Sequence, residues 1–470
     1  MKNSKLIDLL QSLDSTELRQ FCEFVASPYF NKNQDLLLLV EYLEAQAPEF
    51  REDKVRKETV FKTIFPGEPF DKRTLAYLMN YLLKLGERFL ALQNYEKEDM
   101  LMNCHILDQY VERKLDKHYN YLFNKAQQTL EEKEEWDGTE FYYKYLASQV
   151  ATKHFYSKQV RKFDPSLQSV CDELDEFYFF HKLKYSCEML SRQTMLKADY
   201  HLNFVEEVKN YLLQQPSIAP LTEIYLYIYL SYSFPDEEQY FEKLMGLIDQ
   251  HAQTIGRRTR REIYLYAINY CAPKTRKGIE KYFRIVVDLY VKGIENKSLF
   301  DGIYLSHWTY TNVVRLALRI QRHAWVEVFI KEHVNSLVPA VREDAGHYNL
   351  AELYFHKGNY DQVLTHLNQL HFSDLHYHLG SRVILLKTYF EMDADESLLS
   401  LLAAFSVYLR RNKDISLAIK KNYLNFCYLL NQVMRRNLKK WEILGDNIRQ
   451  MHPLAERGWL LQVWERTKPR

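Results

Sequence analysis

Histidine ligates metals and moves protons near neutral pH more readily than any other side chain. Four of the sixteen histidines, His366, His371, His376 and His378, fall within thirteen residues, with Asp374 among them. The His376-x-His378 spacing suits a ligand pair on an extended loop. Against that, His366 and His371 close one expected helix while His376 and His378 open the next, so polar contacts between helices account for all four. Asp393-Ala394-Asp395-Glu396-Ser397 opens like a calcium loop. Its sixth position, however, is Leu398, where the sharp turn of such a loop needs glycine, and acids capping a helix start explain the run. The chain carries no GxxxxGK[ST] or GxGxxG phosphate loop, no HExxH and no GxSxG. No catalytic residue, metal ligand or cofactor is expected.

Charge offers the other chemistry. Overall, 63 Lys and Arg face 62 Asp and Glu, a net +1, which draws the chain toward neither nucleic acid nor membrane. Locally the balance shifts. Residues 257–284 hold nine bases (Arg257, Arg258, Arg260, Arg261, Lys274, Arg276, Lys277, Lys281 and Arg284) against Glu262 and Glu280. Residues 401–470 hold fourteen bases against five acids, whereas residues 1–100 hold 14 bases and 17 acids. With Tyr264, Tyr266, Tyr270 and Tyr282 interleaved, the first stretch could follow a phosphate backbone and stack bases. The plainer expectation is solvated helix faces, with the tyrosines packed between helices. Arg257, Arg258, Arg260, Arg261, Lys274, Arg276 and Lys277 are the candidate partner-binding residues.

The elements that must position these groups are helices. Glycine (13 residues) and proline (12) are scarce in a chain that is 47% hydrophobic and 27% charged. That composition favours long helices on short connections, and no sustained alternating β-branched run calls for a sheet. The expected fold is all-α, a superhelix of helical hairpins behind a small N-terminal helical domain. Residues 1–95 form that domain. Asp14 with Glu17 makes a capping box, Ser27-Pro28 stops the helix that follows, Asn33 caps the next, and Asp71 opens a long helix whose Leu75, Leu78, Leu82, Leu85 and Phe89 keep a 3–4 spacing. Residues 96–295 read as irregular helical-hairpin repeats. Residues 296–470 read as more regular repeats, closed by a long helix around Tyr423 and two shorter helices near 438–451 and 453–466 that cap the array.

The clearest repeat, 347–378, places Leu350, Ala351, Tyr354, Gly358 and Tyr360 at the offsets of the tetratricopeptide motif. Tyr389 and Leu318 mark weaker neighbours 35 residues after and 36 before Tyr354. Residues 300–410 thus resemble tetratricopeptide repeats, which implies stacked hairpins that bury one another's apolar faces and a surface for gripping a peptide. The run from Phe21 to Asn33 (Phe-Cys-Glu-Phe-Val-Ala-Ser-Pro-Tyr-Phe-Asn-Lys-Asn) is similar to a signature of large bacterial helical-repeat proteins, a family that implies no activity. Some tetratricopeptide proteins hold a carboxylate with asparagines at one position of successive repeats. Here Asn349 would align with Val313 and Ile384, so that clamp is not expected.

The functional expectation is therefore a non-catalytic protein–protein interaction scaffold or adaptor whose partner is another protein or a peptide segment. The alternative is a nucleic-acid-associated regulator using residues 257–284 and 401–470. An enzyme is the third and weakest reading. Six scattered cysteines without a CxxC pair fit reduced thiols. Asp8, Gln11 and Asp14 interrupt any signal-like apolar run, and no stretch is long and apolar enough for a membrane span. The expected location is the cytoplasm.

Overall fold

A computed structural model describes residues 1–195, 199–371, 375–435 and 441–468. Among these the chain forms twenty-three α-helices and one short β-hairpin; it is all-α. It divides into two compact units, residues 1–134 with 138–180, and residues 135–137 with 181–470.

The first unit begins with α1 (Lys5–Ser12), α2 (Ser15–Ala26), α3 (Gln34–Glu44), α4 (Lys57–Ile64) and α5 (Lys72–Glu96). Local signals set their starts. The Asp14 carboxylate accepts from the Thr16 and Glu17 amides, and Glu17 returns a bond to the Asp14 amide. Asn33 caps α3 and Asp71 caps α5, each worth on the order of 1 kcal/mol. The five helices bury one core that includes Leu6, Phe21, Leu39, Phe50, Phe61 and Leu82. Each such side chain contributes about 1.5–3 kcal/mol of transfer free energy. The Phe21–Asn33 run joins α2 to α3. Phe21 is in the core, Phe30 stacks on Phe24 at 4.0 Å, and the Asn31 amide donates to the carbonyls of Val25 and Asn33 at 3.0 and 2.9 Å. Tyr29 in the same run stands 82% exposed. The unit continues with α6 (Asp99–Glu112), α7 (Asp116–Glu131), α8 (Thr139–Ser157) and the first half of α9 (Pro165–Met195).

The second unit takes the rest of α9 and then α10 (Val205–Leu212), α11 (Pro220–Ser233), α12 (Glu238–Gln250), α13 (Arg257–Arg276) and α14 (Glu280–Glu295). A hairpin of β1 (Phe300–Asp301) and β2 (Tyr304–Leu305) follows. Next come α15 (His307–Arg319), α16 (His323–His333), α17 (Pro339–His356), α18 (Tyr360–Leu367), α19 (Leu375–Glu391) and α20 (Asp395–Arg411). The last helices are α21 (Leu417–Arg435), α22 (Trp441–Gln450) and α23 (Arg457–Arg466). From α13 to α19 the first helix of each hairpin packs on its own partner, and each hairpin packs on the next, so burial propagates along the chain as in a repeat array.

One turn recurs. The connections 113–115, 277–279, 320–322, 357–359 and 392–394 each have three residues, and the middle one is left-handed: Lys114, Gly278, Gln321, Gly358 and Asp393, with φ of 56°, 80°, 61°, 71° and 53°. In each, the amide after that residue reaches back to the carbonyl five before it: Leu115 to Tyr110, Ile279 to Lys274, Arg322 to Ala317, Asn359 to Tyr354 and Ala394 to Tyr389, at 2.9–3.2 Å. This is the Schellman ending that satisfies orphaned carbonyls at a helix C-terminus. Glycine takes the conformation at little cost, while Lys114, Gln321 and Asp393 are held there by the hairpins they join.

Candidate functional site

The shared turn sets the register of the hairpins, and it corrects the alignment read from the sequence. Ala317, not Leu318, occupies the Tyr354 position, because each is the carbonyl that the turn amide bonds. Nine residues before the left-handed residue stand Asn269, Asn312 and Asn349 in three successive hairpins, with Ile384 in the next. Asn312, not Val313, is thus the counterpart of Asn349. The asparagines still form no continuous row of free amides. Asn349 is fully buried, its amide donating to the Thr311 hydroxyl at 3.2 Å and the Ala345 carbonyl at 2.8 Å. Asn312 is exposed and Asn269 half-buried.

Asn269 lines a cleft of about 380 Å³ between α9 and α13, together with Lys184, Tyr185, Glu188, Glu262, Leu265 and Tyr266. Helix α9 presents the first three of these on successive turns, as i, i+1 and i+4 spacing dictates, and α13 presents Glu262, Leu265, Tyr266 and Asn269 in the same way. Hydrogen bonds hold the acidic groups in place. Tyr266 donates to Glu188 at 3.0 Å and Arg192 to the other oxygen at 2.6 Å. Arg192, then Tyr266, keep the Glu188 carboxyl below its ordinary value. Glu262 accepts from Tyr225 at 3.3 Å and pairs with Lys184 at 3.3 Å. Burial pushes the Tyr266 hydroxyl well above its ordinary value. Beneath lies Cys187, fully buried, its thiol pushed up by burial and therefore a poor nucleophile. Tyr185 (60% exposed) and Leu265 (39%) form an open, apolar rim. The arrangement can hold an apolar side chain between two neutralised carboxylates.

Helix α13, about 30 Å long, separates the candidate basic residues. At its start, Arg257 donates to the carbonyls of Phe300 and Gly302 at 3.0 and 2.8 Å, steadying the β-hairpin. Arg260 is buried and bonds the Ile255 carbonyl at 2.8 Å. Arg258 faces Glu262 at 3.9 Å, and Arg261 is half-buried. At its end, Lys274 donates to the Pro235 carbonyl at 2.8 Å and lies 5.0 Å from the rings of Tyr270 and Tyr282. Arg276 and Lys277 are exposed. Beyond them Lys281 is paired with Glu238 and Glu242, and Arg284 with Glu280. Tyr264, Tyr266, Tyr270 and Tyr282 are all buried. In the C-terminal basic stretch, residues 436–440, 469 and 470 lie outside the described residues.

The histidines are spread over four separate contacts. His366 meets His347 at 3.0 Å between ring nitrogens and stacks on Tyr354. The His371 amide bonds Asp344 at 2.7 Å, His376 lies against Trp308, and His378 meets Tyr408 edge-on. Asp374 lies outside the described residues. Among those described, no three His, Cys, Asp or Glu side chains are placed to share a metal ion. Of the repeat residues, Ala351 is fully buried, Leu350, Tyr354 and Tyr360 are half-buried, and Gly358 forms the turn.

A polar network absent from the sequence reading lies deeper in the second unit. Arg315 of α15 contacts Tyr348 and pairs with Glu352 of α17 at 3.3 Å. Lys387 of α19, 3% exposed, pairs at 2.8 Å with Glu456, the residue before α23. Burial alone would lower the Lys387 ammonium, but Glu456 and then Glu352 reverse that and hold it above its ordinary value. The long sequence separations involved (37 and 69 residues) left no local signal. No family model matches this chain, nor does any curated protein or solved structure.

Proposed function

We propose that this chain is a non-catalytic protein–protein interaction scaffold of the cytoplasm, a tetratricopeptide-like array of helical hairpins that grips a segment of a partner protein. The observation that carries the reading is the recurrence of one three-residue turn in hairpin after hairpin, joined to an open cleft at α9 and α13. Repeated hairpins present equivalent helix faces at regular intervals, which is how helical arrays build extended binding surfaces. In the cleft, Tyr185 and Leu265 offer exposed apolar area beside acids already neutralised by Lys184 and Arg192, chemistry suited to an apolar side chain of an extended peptide. The basic stretch 257–284 on α13 and α14, by contrast, spends Arg257, Arg260 and Lys274 on backbone carbonyls, and carboxylates pair Arg258, Lys281 and Arg284.

The test is affinity purification of the tagged full chain from its native extract, with and without nuclease, followed by mass spectrometry. A defined set of proteins retained after nuclease, and reduced by Tyr185→Ala with Leu265→Ala, is the expected result. Recovery of nucleic acid, with proteins lost on nuclease treatment, would replace the scaffold with a nucleic-acid-associated regulator.

A further inference from the structure

The most cationic segment of the sequence is largely neutralised, yet an un-neutralised cationic stripe lies in the region of net negative charge. Along α5, Arg73, Tyr77, Tyr81, Lys84 and Arg88 are all exposed. At 3.6 residues per turn they fall within about 80° of arc and span roughly 22 Å. Tyr77 and Tyr81 are 61% and 46% exposed, with ring centroids 5.5 Å apart. The stripe continues onto the α2–α3 connection, where Arg88 lies 4.9 Å over the Phe30 ring and Tyr29 meets Phe30 edge-on. Among the described residues no carboxylate lies within ion-pair distance of Arg73, Lys84 or Arg88. Two acids of α5 and its cap flank the stripe: Asp71 is committed to capping the Arg73 and Thr74 amides, and exposed Glu87 lies beside it on the neighbouring arc, three residues after Lys84.

We propose that the Arg73–Tyr77–Tyr81–Lys84–Arg88 face of α5, with Phe30 and Tyr29 at its end, docks an acidic amphipathic helix of a partner protein. Its anatomy is that of an interface: aromatic rings at the centre and arginines at both ends. The three cations call for carboxylates, which arginine binds in two-point geometry. The surface is a single helix ridge, so a second helix laid along it makes the longest contact. A nucleic acid is disfavoured because residues 1–100 carry 17 acids against 14 bases, and a long polyanion would meet that field beyond the stripe. The tilted tyrosine pair also spends part of its ring faces on itself. The inference rests on the interaction-scaffold reading and adds a second surface, in the first unit, to the α9–α13 cleft.

The test is fluorescence anisotropy on the full chain with three labelled probes: a ~18-residue Glu/Leu/Ala peptide with its carboxylates on one helical face, a scrambled peptide of the same composition, and an oligothymidine of similar length. The amphipathic acidic peptide should bind, the scrambled one at least about tenfold more weakly. Tyr77→Ala with Tyr81→Ala, and separately Arg73→Glu with Arg88→Glu, should each weaken binding by about tenfold or more. All four side chains are exposed, so both variants should keep the wild-type melting curve. Absence of binding at about 100 μM, equal binding of the scrambled peptide, tighter binding of the oligothymidine, or variants that bind normally would each overturn the proposal. In the affinity purification, partners retained equally by wild type and both α5 variants would remove this face alone. Retention of no protein by either would remove the scaffold reading.

Discussion

Lys387 is 3% exposed, and the carboxylate of Glu456 is its 2.8 Å ion-pair partner, with the Phe355 ring 4.5 Å away. Replacing Glu456 with alanine leaves a buried ammonium without its counter-ion. Breaking a buried pair this way costs about 3–5 kcal/mol, and because the Glu456 side chain is 32% exposed the lower end applies, about 3 kcal/mol. Lys387→Met should cost less, about 1 kcal/mol, because it removes the buried charge, keeps the stem volume and leaves Glu456 partly in water. The double variant should resemble Lys387→Met, giving a coupling of about 2–3 kcal/mol. Pressure on the pair also varies with pH. The Lys387 field holds the Glu456 carboxyl below its ordinary value, so that contribution is complete above about pH 5 and is lost as pH falls through the lowered folded value. Lys387 sits above its ordinary value, so its contribution is complete below about pH 10 and is lost as pH rises through the folded value. The gap between wild type and Glu456→Ala should therefore close in strong base. Urea denaturation followed by far-UV circular dichroism reads all three variants. If Glu456→Ala costs no more than Lys387→Met, or the two effects simply add, the assignment of a desolvated pair is wrong.

Other perturbations follow from the packing. A methyl at Gly380 would stand 2.5 Å from the Tyr348 hydroxyl oxygen and 2.8 Å from its ring, so Gly380→Ala should destabilise by about 1–3 kcal/mol, seen as a lower urea midpoint. In the hairpin turns, Gln321→Gly should stabilise slightly and Gly358→Ala should cost on the order of 1 kcal/mol, since both positions are left-handed; opposite shifts in thermal midpoint check the pair. Of the six cysteines only Cys171 is exposed, and Cys22 is pushed up to about 12 by burial and then by Glu44. Ellman titration of the native chain should find one fast thiol, abolished by Cys171→Ser, with the rest reacting only after unfolding.

What could be read in the sequence was whatever acts within about one helical turn. The caps at Asp14, Asn33 and Asp71, the stop after Ala26, the 3–4 spacing of α5 and the turn at Gly358 each depend on residues three or four apart. The all-α class follows from them together with the scarcity of glycine and proline. Hairpin register was less legible, because Gln321 and Asp393 adopt the conformation of Gly358 without glycine's signature, and a one-residue slip made Val313 stand for Asn312. Tertiary structure alone decided where charge is spent. Lys281 meets Glu238 and Glu242 from the preceding hairpin, so much of the charge of residues 257–284 is spent inside the fold, and elsewhere Lys387 meets Glu456. On α5, among the described residues, no acid pairs with Arg73, Lys84 or Arg88, and they keep their charge at the surface. Net charge is additive along a chain, but its neutralisation depends on which helices the fold brings within a few ångströms of one another.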